Sequence, residues 1–161
     1  MIRVISGGQS GADLSALETA KRFGIPTGGT MPKGFKTLSG SCPHYAELYG
    51  IQEHASADYA PRTYQNVRDS DGTIRFAFNF ASAGELCTLK AINQYKKPYI
   101  DVDFNNPISY DDVVQWIKEN NIQVLNVAGN SERTKLGMNF RTSEFLGEVF
   151  KILGFKEAIN E

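Results

Sequence analysis

Short runs of apolar and β-branched residues alternate along the chain with longer segments whose apolar positions recur every three or four residues. The short runs predict strands, and the longer segments predict amphipathic helices. A strand followed by a helix, repeated along the chain, is typical of a parallel sheet covered by helices on both faces. We therefore expect the α/β class, with a doubly wound and mainly parallel sheet.

The predicted strands cover residues 3–6, 26–30, 72–80, 98–102 and 122–128, and the predicted helices cover residues 13–23, 59–69, 84–95, 109–120 and 140–153. Residues 31–57 have no clear period and predict a long, irregular surface segment, a kind of loop that is often functional. No repeat or linker divides the chain of 161 residues, and this length suits one domain. We expect residues 1–161 to form a single domain.

A doubly wound sheet binds ligands beyond the carboxyl ends of its strands. Several of the 15 glycines cluster at such positions, and the first cluster reads Gly7, Gly8, Gln9, Ser10, Gly11. Glycines let the backbone approach a ligand closely, and a helix N-terminus offers free N–H groups to an anion. The cluster predicts a phosphate site, and the alternative is a tight strand-to-helix turn.

Further polar residues near the other predicted strands join this candidate ligand site. Arg62 and Asn66 share one face of a predicted helix, and their groups suit a phosphate and the edge of a heterocycle. The alternative for this helix is a solvated polar face. The remaining candidates, which lie in or beside turns, are Lys33, Gly34, Arg68, Ser70, Asp71, Ser82, Gly84, Asn126 and Gly129.

Composition and charge narrow the classes of partner. Hydrophobic residues make up 41 % and charged residues 22 % of the chain, as in ordinary globular proteins. The 17 basic and 18 acidic residues give a net charge of −1, which excludes the broad basic surface that nucleic acids need. No apolar run approaches the roughly 20 residues of a membrane helix. We expect a small phosphate-bearing ligand, no nucleic-acid or membrane partner, and a cytoplasmic location.

The potential metal ligands are scattered along the chain. Cys42 and Cys87 lie far apart, and His44 and His54 lie in the irregular segment without a nearby Cys or carboxylate pattern. Neither pair has the spacing of a zinc site. We therefore expect no metal site and two reduced thiols, as is usual in the cytoplasm.

Several segments taken together resemble a known family. They read ISGGQSGAD (residues 5–13), PKG (32–34), DYAPRT (58–63), NVRDSDGT (66–73) and VLNVAG (124–129). In this order, over about residues 1–153, the chain resembles the molybdenum carrier proteins. That family is part of a wider group of Rossmann-like nucleotide-binding domains, which includes lysine-decarboxylase-like phosphoribohydrolases and the DNA-processing protein DprA.

The resemblance implies a Rossmann-like domain that binds the molybdenum cofactor (molybdopterin) or a related phosphate-bearing pterin or nucleotide. It also implies a homo-oligomer, often a dimer or a tetramer. One position departs from the family pattern, because Glu85 stands where a hydroxyl residue is usual. The phosphoribohydrolase signature Pro-Gly-Gly-x-Gly-Thr-x-x-Glu is absent from the chain.

Three functions remain open at this point. The leading interpretation is a binding or carrier protein without catalysis. The first alternative is a nucleotide hydrolase that cleaves the N-glycosidic bond, with Asp71 or Glu85 stabilising an oxocarbenium-like transition state. The second alternative is a nucleotide-sensing protein whose oligomeric state changes on binding. A pterin and a purine nucleotide ask for similar groups, so the sequence leaves the ligand's identity open.

Overall fold

The computed structural model describes residues 2–158. Its elements, in chain order, are β1 (Arg3–Ser6), α1 (Ala12–Arg22), β2 (Thr27–Met31), β3 (Lys36–Thr37), β4 (Gly40–Ser41), α2 (Tyr45–Tyr49), β5 (Ile51–Glu53), α3 (Tyr59–Asp69), β6 (Gly72–Ala77), α4 (Ala83–Tyr95), β7 (Tyr99–Asp103), α5 (Tyr110–Glu119), β8 (Val124–Gly129) and α6 (Met138–Ile152).

Six strands form one sheet in the order β5-β2-β1-β8-β6-β7, and all neighbouring strands are parallel. The predicted α/β class with a parallel, Rossmann-like sheet is therefore confirmed. β8 lies at the centre, where Asn126 pairs with Ile5 of β1 and Val127 pairs with Ile74 of β6. Because the strands are parallel, the loops that follow β1, β8 and β6 meet at one edge of the sheet.

Helices cover both faces of this sheet. α1, α5 and α6 pack together on one face, and α3 and α4 pack together on the other. The larger core lies beneath the first group, where Phe76, Leu146 and Phe150 are fully buried. A smaller cluster around Val67 and Ile92 lies between α3 and α4. Within residues 2–158, no helix combines the length and the apolar character needed to cross a membrane.

Local sequence patterns explain the burial of β6 and the start of α5. All six residues of β6 are buried, as expected for an inner strand that is rich in β-forming residues and covered on both faces. α5 begins with a capping box, in which Ser109 Oγ accepts from the Asp112 N–H at 3.1 Å and the Asp112 carboxylate accepts from the Ser109 N–H at 3.3 Å. This reciprocal pair satisfies two N–H groups that the helix itself leaves free.

Residues 31–57 differ from the prediction of an irregular segment. They contain the β3–β4 hairpin, α2 and β5, and β5 pairs with β2 as an edge strand of the sheet. Only Ile51 is buried among the three residues of β5. A strand of three residues is too short to show an alternation that pattern analysis can detect. Backbone pairing with β2, rather than burial of its own side chains, holds it in the sheet.

β6 ends at Ala77, before the predicted end at Phe80. The N–H groups of Phe78 and Asn79 both donate to Asn130 Oδ1, at 3.0 and 3.1 Å. A side chain from the loop after β8 therefore replaces the strand partner at this point, and the chain turns towards α4.

A buried ion pair joins β6 to β7. Arg75 is 4 % exposed, and its Nε and Nη2 donate to the two carboxylate oxygens of Asp101, both at 2.7 Å. Arg75 Nη1 donates to the main-chain oxygen of Glu85 at 3.1 Å. The ring centroids of Phe80 and Tyr99 lie 5.0 and 5.5 Å from the guanidinium carbon. The pair therefore connects the edge strand and the sheet to the first turn of α4.

Candidate functional site

A cavity of about 470 Å³ opens at the carboxyl ends of β1, β8 and β6, the edge at which doubly wound sheets bind ligands. Its walls come from the β1–α1 loop, the first turns of α3 and α4, the β8–α6 loop and the tip of the β3–β4 hairpin. The polar and apolar side chains that line it include Gln9, Ser10, Asp13, Leu38, Tyr59, Arg62, Thr63, Ser82, Glu85, Cys87, Thr88, Ser131 and Thr134.

Close backbone contacts shape the β1–α1 loop. Ser6 Oγ donates to the Asp13 carbonyl at 2.8 Å and accepts from the Gly8 N–H at 3.3 Å. Gly11 has a φ of +84°, and an added Cβ would lie 2.8 Å from the main-chain nitrogen of Glu132. Glycine fits this position without the strain that a side chain would cause. The loop therefore lies close against the β8–α6 loop, and both reach the cavity.

The Arg62 guanidinium enters the cavity from α3 and forms an ion pair with Asp13. The distance between Arg62 Nη1 and Asp13 Oδ2 is 3.6 Å, and the two side chains are 14 % and 9 % exposed. Asp13 Oδ2 also accepts from the Gln9 N–H at 3.4 Å. The guanidinium lies so close to Gly7 that an added Cβ would overlap Nη1. Glycine at this position therefore lets the arginine approach the β1–α1 loop.

Two buried donors at the cavity, Arg62 Nε and Tyr59 Oη, have no hydrogen-bond partner within residues 2–158. The guanidinium carbon lies 5.6 Å from the centroid of the Tyr59 ring, and Lys36 Nζ lies 5.1 Å from the same centroid. A buried donor without a partner costs about 1–3 kcal/mol. The residues that carry both donors line the cavity, so a ligand bound there that reached these donors would remove this cost.

Glu85 is 4 % exposed and lies in the first turn of α4. Its Oε2 accepts from Ser82 Oγ and, at 2.8 Å, from Asn130 Nδ2. Burial raises the pKa of Glu85 above its usual value, whereas the hydrogen bonds from Ser82 and Asn130 and the charge of Arg75 lower it. A protein carboxylate thus occupies the α4 N-terminus, where the helix dipole would otherwise favour an external anion.

The stability of the protein is expected to depend on pH through Asp13. Burial raises the pKa of Asp13 to about 6, while Arg62 and the Gln9 N–H lower it and Glu85 adds to the increase. Between roughly pH 4 and pH 6, the folded chain therefore keeps a proton on Asp13 that the unfolded chain has already lost. The stability gained in this way is complete below roughly pH 4 and is lost as the pH rises through about 6.

We expect the unfolding free energy of the wild type, relative to Asp13→Asn, to fall by about 2–3 kcal/mol between roughly pH 4 and pH 7. Urea unfolding of both proteins at a series of pH values measures this difference. Subtraction of the asparagine variant removes the pH dependence of groups that both proteins share. A difference that stays constant over the range would contradict the prediction.

The structure brings many of the predicted site residues together. Those that line the cavity are Gln9, Ser10, Arg62, Ser82, Gly84 and Gly129. Gly7, Asn66 and Asn126 line a smaller void, which shares Asp13 and Arg62 with the cavity. Gly8 and Gly11 belong to the β1–α1 loop without lining the cavity. The loops that follow β1, β6 and β8 thus meet at one place.

The polar side chains of Asn66 and Asp71 are hydrogen-bonded to the main chain of the protein. Asn66 is 2 % exposed, and its amide accepts from the Thr30 N–H at 2.8 Å and donates to the Thr30 carbonyl at 2.9 Å. Asp71 Oδ2 accepts from the N–H groups of Gln123 and Val124, at 3.0 and 2.8 Å. Because Asp71 precedes β6, it lies at the amino edge of the sheet, opposite the cavity.

Four further candidates also lie away from the cavity lining. Arg68 is exposed, and its Nε lies 3.7 Å from a carboxylate oxygen of Asp69. Ser70 Oγ donates to the Val67 carbonyl at 2.8 Å. Lys33 and Gly34 follow β2, where Lys33 is exposed and the Gly34 N–H donates to Glu53 Oε2 at 2.7 Å.

Asp13, Tyr59, Thr63 and Thr88 line the cavity, although pattern analysis did not select them as ligand contacts. An acidic residue in the first turn of a helix is a common partner of the helix dipole, so the position of Asp13 alone does not indicate a buried site. Its place two residues after the glycine cluster is the signal that could have identified it. Tyr59 carries no comparable local signal. Within the described part of the chain, no group of three or more His, Cys, Asp or Glu side chains could hold a metal ion.

The fold and the sequence are similar to those of a solved crystal structure, the "Putative molybdenum carrier protein" of Syntrophus aciditrophicus SB. The two chains are 38 % identical, with a TM-score of 0.84. The likeness covers 93 % of this chain and 94 % of that chain. The resemblance to the molybdenum carrier proteins is therefore confirmed.

A curated relative matches a shorter part of the chain. The chain is 28 % identical over 96 residues to methionine aminopeptidase 2 of Clavispora lusitaniae (strain ATCC 42720). The match covers 57 % of this chain, and it spans 22 % of the length of that protein. A likeness of this extent assigns no peptidase activity to the chain.

A family model also matches most of the chain. The matched residues are 4–150, and the family is described as the circularly permutated YpsA SLOG family. This range includes every loop that lines the cavity. The protein therefore belongs to the circularly permutated YpsA SLOG family.

Proposed function

We propose that this protein binds or carries a phosphate-bearing pterin or nucleotide, with the molybdenum cofactor as the leading ligand, and that it catalyses no reaction. The observation that carries the proposal is that two residues lining the cavity, Arg62 and Tyr59, each hold a buried donor, Nε and Oη, that has no partner among residues 2–158. The name of the Syntrophus aciditrophicus protein supports a ligand related to molybdenum.

Positive charge at the cavity supports an anionic ligand. A guanidinium can donate two parallel hydrogen bonds to a phosphate, and Arg62 lines the cavity. Lys36 Nζ adds a second charge beside the Tyr59 ring. Gly11 is the N-cap of α1, and the N–H groups at such a helix start carry partial positive charge. These local groups favour a phosphate although the net charge of the chain is −1.

The size and chemistry of the cavity also suit such a ligand. Its volume of about 470 Å³ falls in the range of roughly 300–1,000 Å³ that small-molecule sites occupy. Tyr59 and Leu38 offer apolar surface to a ring. The hydroxyls of Thr63 and Thr88, which also line the cavity, can bond to the polar edges of a heterocycle. The residues present therefore fit a molecule that joins a fused heterocycle to a phosphate, as molybdopterin does.

Native mass spectrometry of the gently purified protein tests the proposal first. We expect a retained small molecule whose fragments include a phosphate and a fused heterocycle. Equilibrium binding then uses three probes, namely molybdenum cofactor released from a purified molybdoenzyme, GMP and AMP. We expect saturable binding of at least one probe with one molecule per chain. Folded protein that retains no ligand and binds none of the probes would overturn the proposal.

Hydrolysis of a nucleotide N-glycosidic bond is a second candidate function. The position of the Glu85 carboxylate in the wall of the cavity favours it. This buried carboxylate has a raised pKa and lines the cavity, where it could stabilise an oxocarbenium-like transition state. Asp71 lies too far along the sheet for this role, at its amino edge. Free base released from GMP or AMP by the wild type, and not by Glu85→Gln, would favour the hydrolase.

A further inference from the structure

Two buried carboxylates line the same cavity. Asp13, from α1, is 6 % exposed, and Glu85, from α4, is 4 % exposed. They are close enough that the charge of Glu85 raises the pKa of Asp13. A site built for a phosphate alone gains nothing from two carboxylates in its wall, because each repels an anion. The part of the ligand that reaches them is therefore expected to carry hydrogen-bond donors.

Each carboxylate uses one of its oxygens within the protein. The contacts of Asp13 with Arg62 and with the Gln9 N–H both end on Oδ2. The hydrogen bonds from Ser82 and Asn130 to Glu85 both end on Oε2. Asp13 Oδ1 and Glu85 Oε1 receive no hydrogen bond from another side chain among residues 2–158. No other side chain of the described residues therefore competes with a ligand for these two oxygens.

We propose that Asp13 and Glu85 recognise the amino-substituted edge of a heterocycle, the N–H and NH₂ donors that guanines and pterins share. This inference rests on the proposed function and names the chemical class of the ligand. An ionised carboxylate only accepts hydrogen bonds, so it selects a ring edge that presents donors. Hypoxanthine and lumazine lack the amino group, which makes them matched comparisons for guanine and pterin.

The same arrangement orients the ligand within the cavity. Glu85 already places a negative charge at the α4 N-terminus, so a phosphate is disfavoured there. The guanidinium of Arg62 lies between its ion-pair partner Asp13 and the ring of Tyr59, and Lys36 Nζ lies 5.1 Å from the centroid of the same ring. The heterocycle is therefore expected to face Asp13 and Glu85, with its phosphate beside Tyr59.

Two ligand pairs test the inference on the full-length protein by isothermal titration calorimetry. GMP is compared with IMP, and pterin is compared with lumazine. We expect the amino-bearing member of a binding pair to bind at least about tenfold more tightly, the effect of one hydrogen bond to a charged group. Affinities equal within twofold in each pair that binds would overturn the inference and leave the proposed function standing. No binding of either pair would overturn the inference, while the cofactor and AMP probes separately decide the proposed function.

Glu85→Gln then assigns the preference to this site. We expect the variant to lose at least half of the preference for the amino-bearing ligand, on a logarithmic scale. The amide of glutamine carries an NH₂ donor in place of one carboxylate oxygen, and its remaining oxygen is an uncharged and weaker acceptor. Glu119→Gln is the matched control, since Glu119 is exposed at the end of α5, and it should keep the full preference. Thermal unfolding confirms that both variants fold. A preference unchanged in folded Glu85→Gln would overturn the inference.

Discussion

Replacement of Arg62 with methionine is expected to lower the affinity for a phosphate-bearing ligand by about 30- to 100-fold. Hydrogen bonds to a charged group contribute about 1.5–3 kcal/mol, and each 1.4 kcal/mol changes an affinity about tenfold. Arg62 supplies the guanidinium that lines the cavity, with Nε free of any partner in residues 2–158. Calorimetric titration of GMP, or of the cofactor if GMP does not bind, measures the change.

The variant is expected to fold because Asp13 can take up a proton when its ion-pair partner is lost. The pKa of Asp13 is already raised to about 6 by burial, and Arg62 is a group that lowers it. A buried carboxylate without a partner responds by neutralising itself. Arg68→Met is the matched control, since Arg68 lies on the same helix and is exposed, and it should bind as the wild type does. Equal affinity of folded Arg62→Met and Arg68→Met would contradict the prediction.

Removal of the Asp101 carboxylate, by contrast, is expected to destabilise the fold by about 3 kcal/mol. Asp101→Ala leaves the Arg75 guanidinium, 5 % exposed, without its charged partner. Loss of one member of a buried pair typically costs about 3–5 kcal/mol. The lower end applies here because the Asp101 side chain is 35 % exposed and water can partly replace it. Urea unfolding at neutral pH measures the loss.

The double variant Arg75→Met with Asp101→Leu distinguishes two causes of destabilisation, the unpaired charge of Arg75 and the loss of packing at Asp101. An apolar pair of similar volume often replaces a buried ion pair without loss of stability. We therefore expect the double variant to be more stable than Asp101→Ala by at least about 1 kcal/mol. A double variant as unstable as the single one would show that packing, rather than the unpaired charge, sets the cost.

Sequence patterns predicted those elements of the fold whose own side chains determine their secondary structure. β6 is rich in β-forming residues and buried on both faces, and Ser109 caps α5 as predicted. The edge strand β5 was not predicted, because its pairing with β2 involves the backbone and Ile51 is its only buried residue. The early end of β6 was missed for a related reason, since it depends on Asn130, a residue more than fifty positions away.

The same distinction applies to the candidate site. The glycine cluster and Arg62 were selected from the sequence, and Gln9, Ser10 and Arg62 do line the cavity. Asn66 shares a helix face with Arg62 in the sequence pattern, but its amide pairs with the backbone of Thr30 on β2. No local sequence pattern shows which polar side chains will form hydrogen bonds with the backbone of a neighbouring strand. Tertiary packing therefore decides which candidates remain available to a ligand.

The strand at the centre of the sheet, β8, is also the last of the six strands to be synthesised. β8 is synthesised after the other five strands of the sheet, yet it lies between β1 and β6. Without β8, no pairing joins β5-β2-β1 to β6-β7, and β1 and β6 each have an unpaired edge. Open edges are prone to pair with other chains. Because β8 and the loop after it line the cavity, we expect chains that stop earlier to have an incomplete cavity and to aggregate more readily.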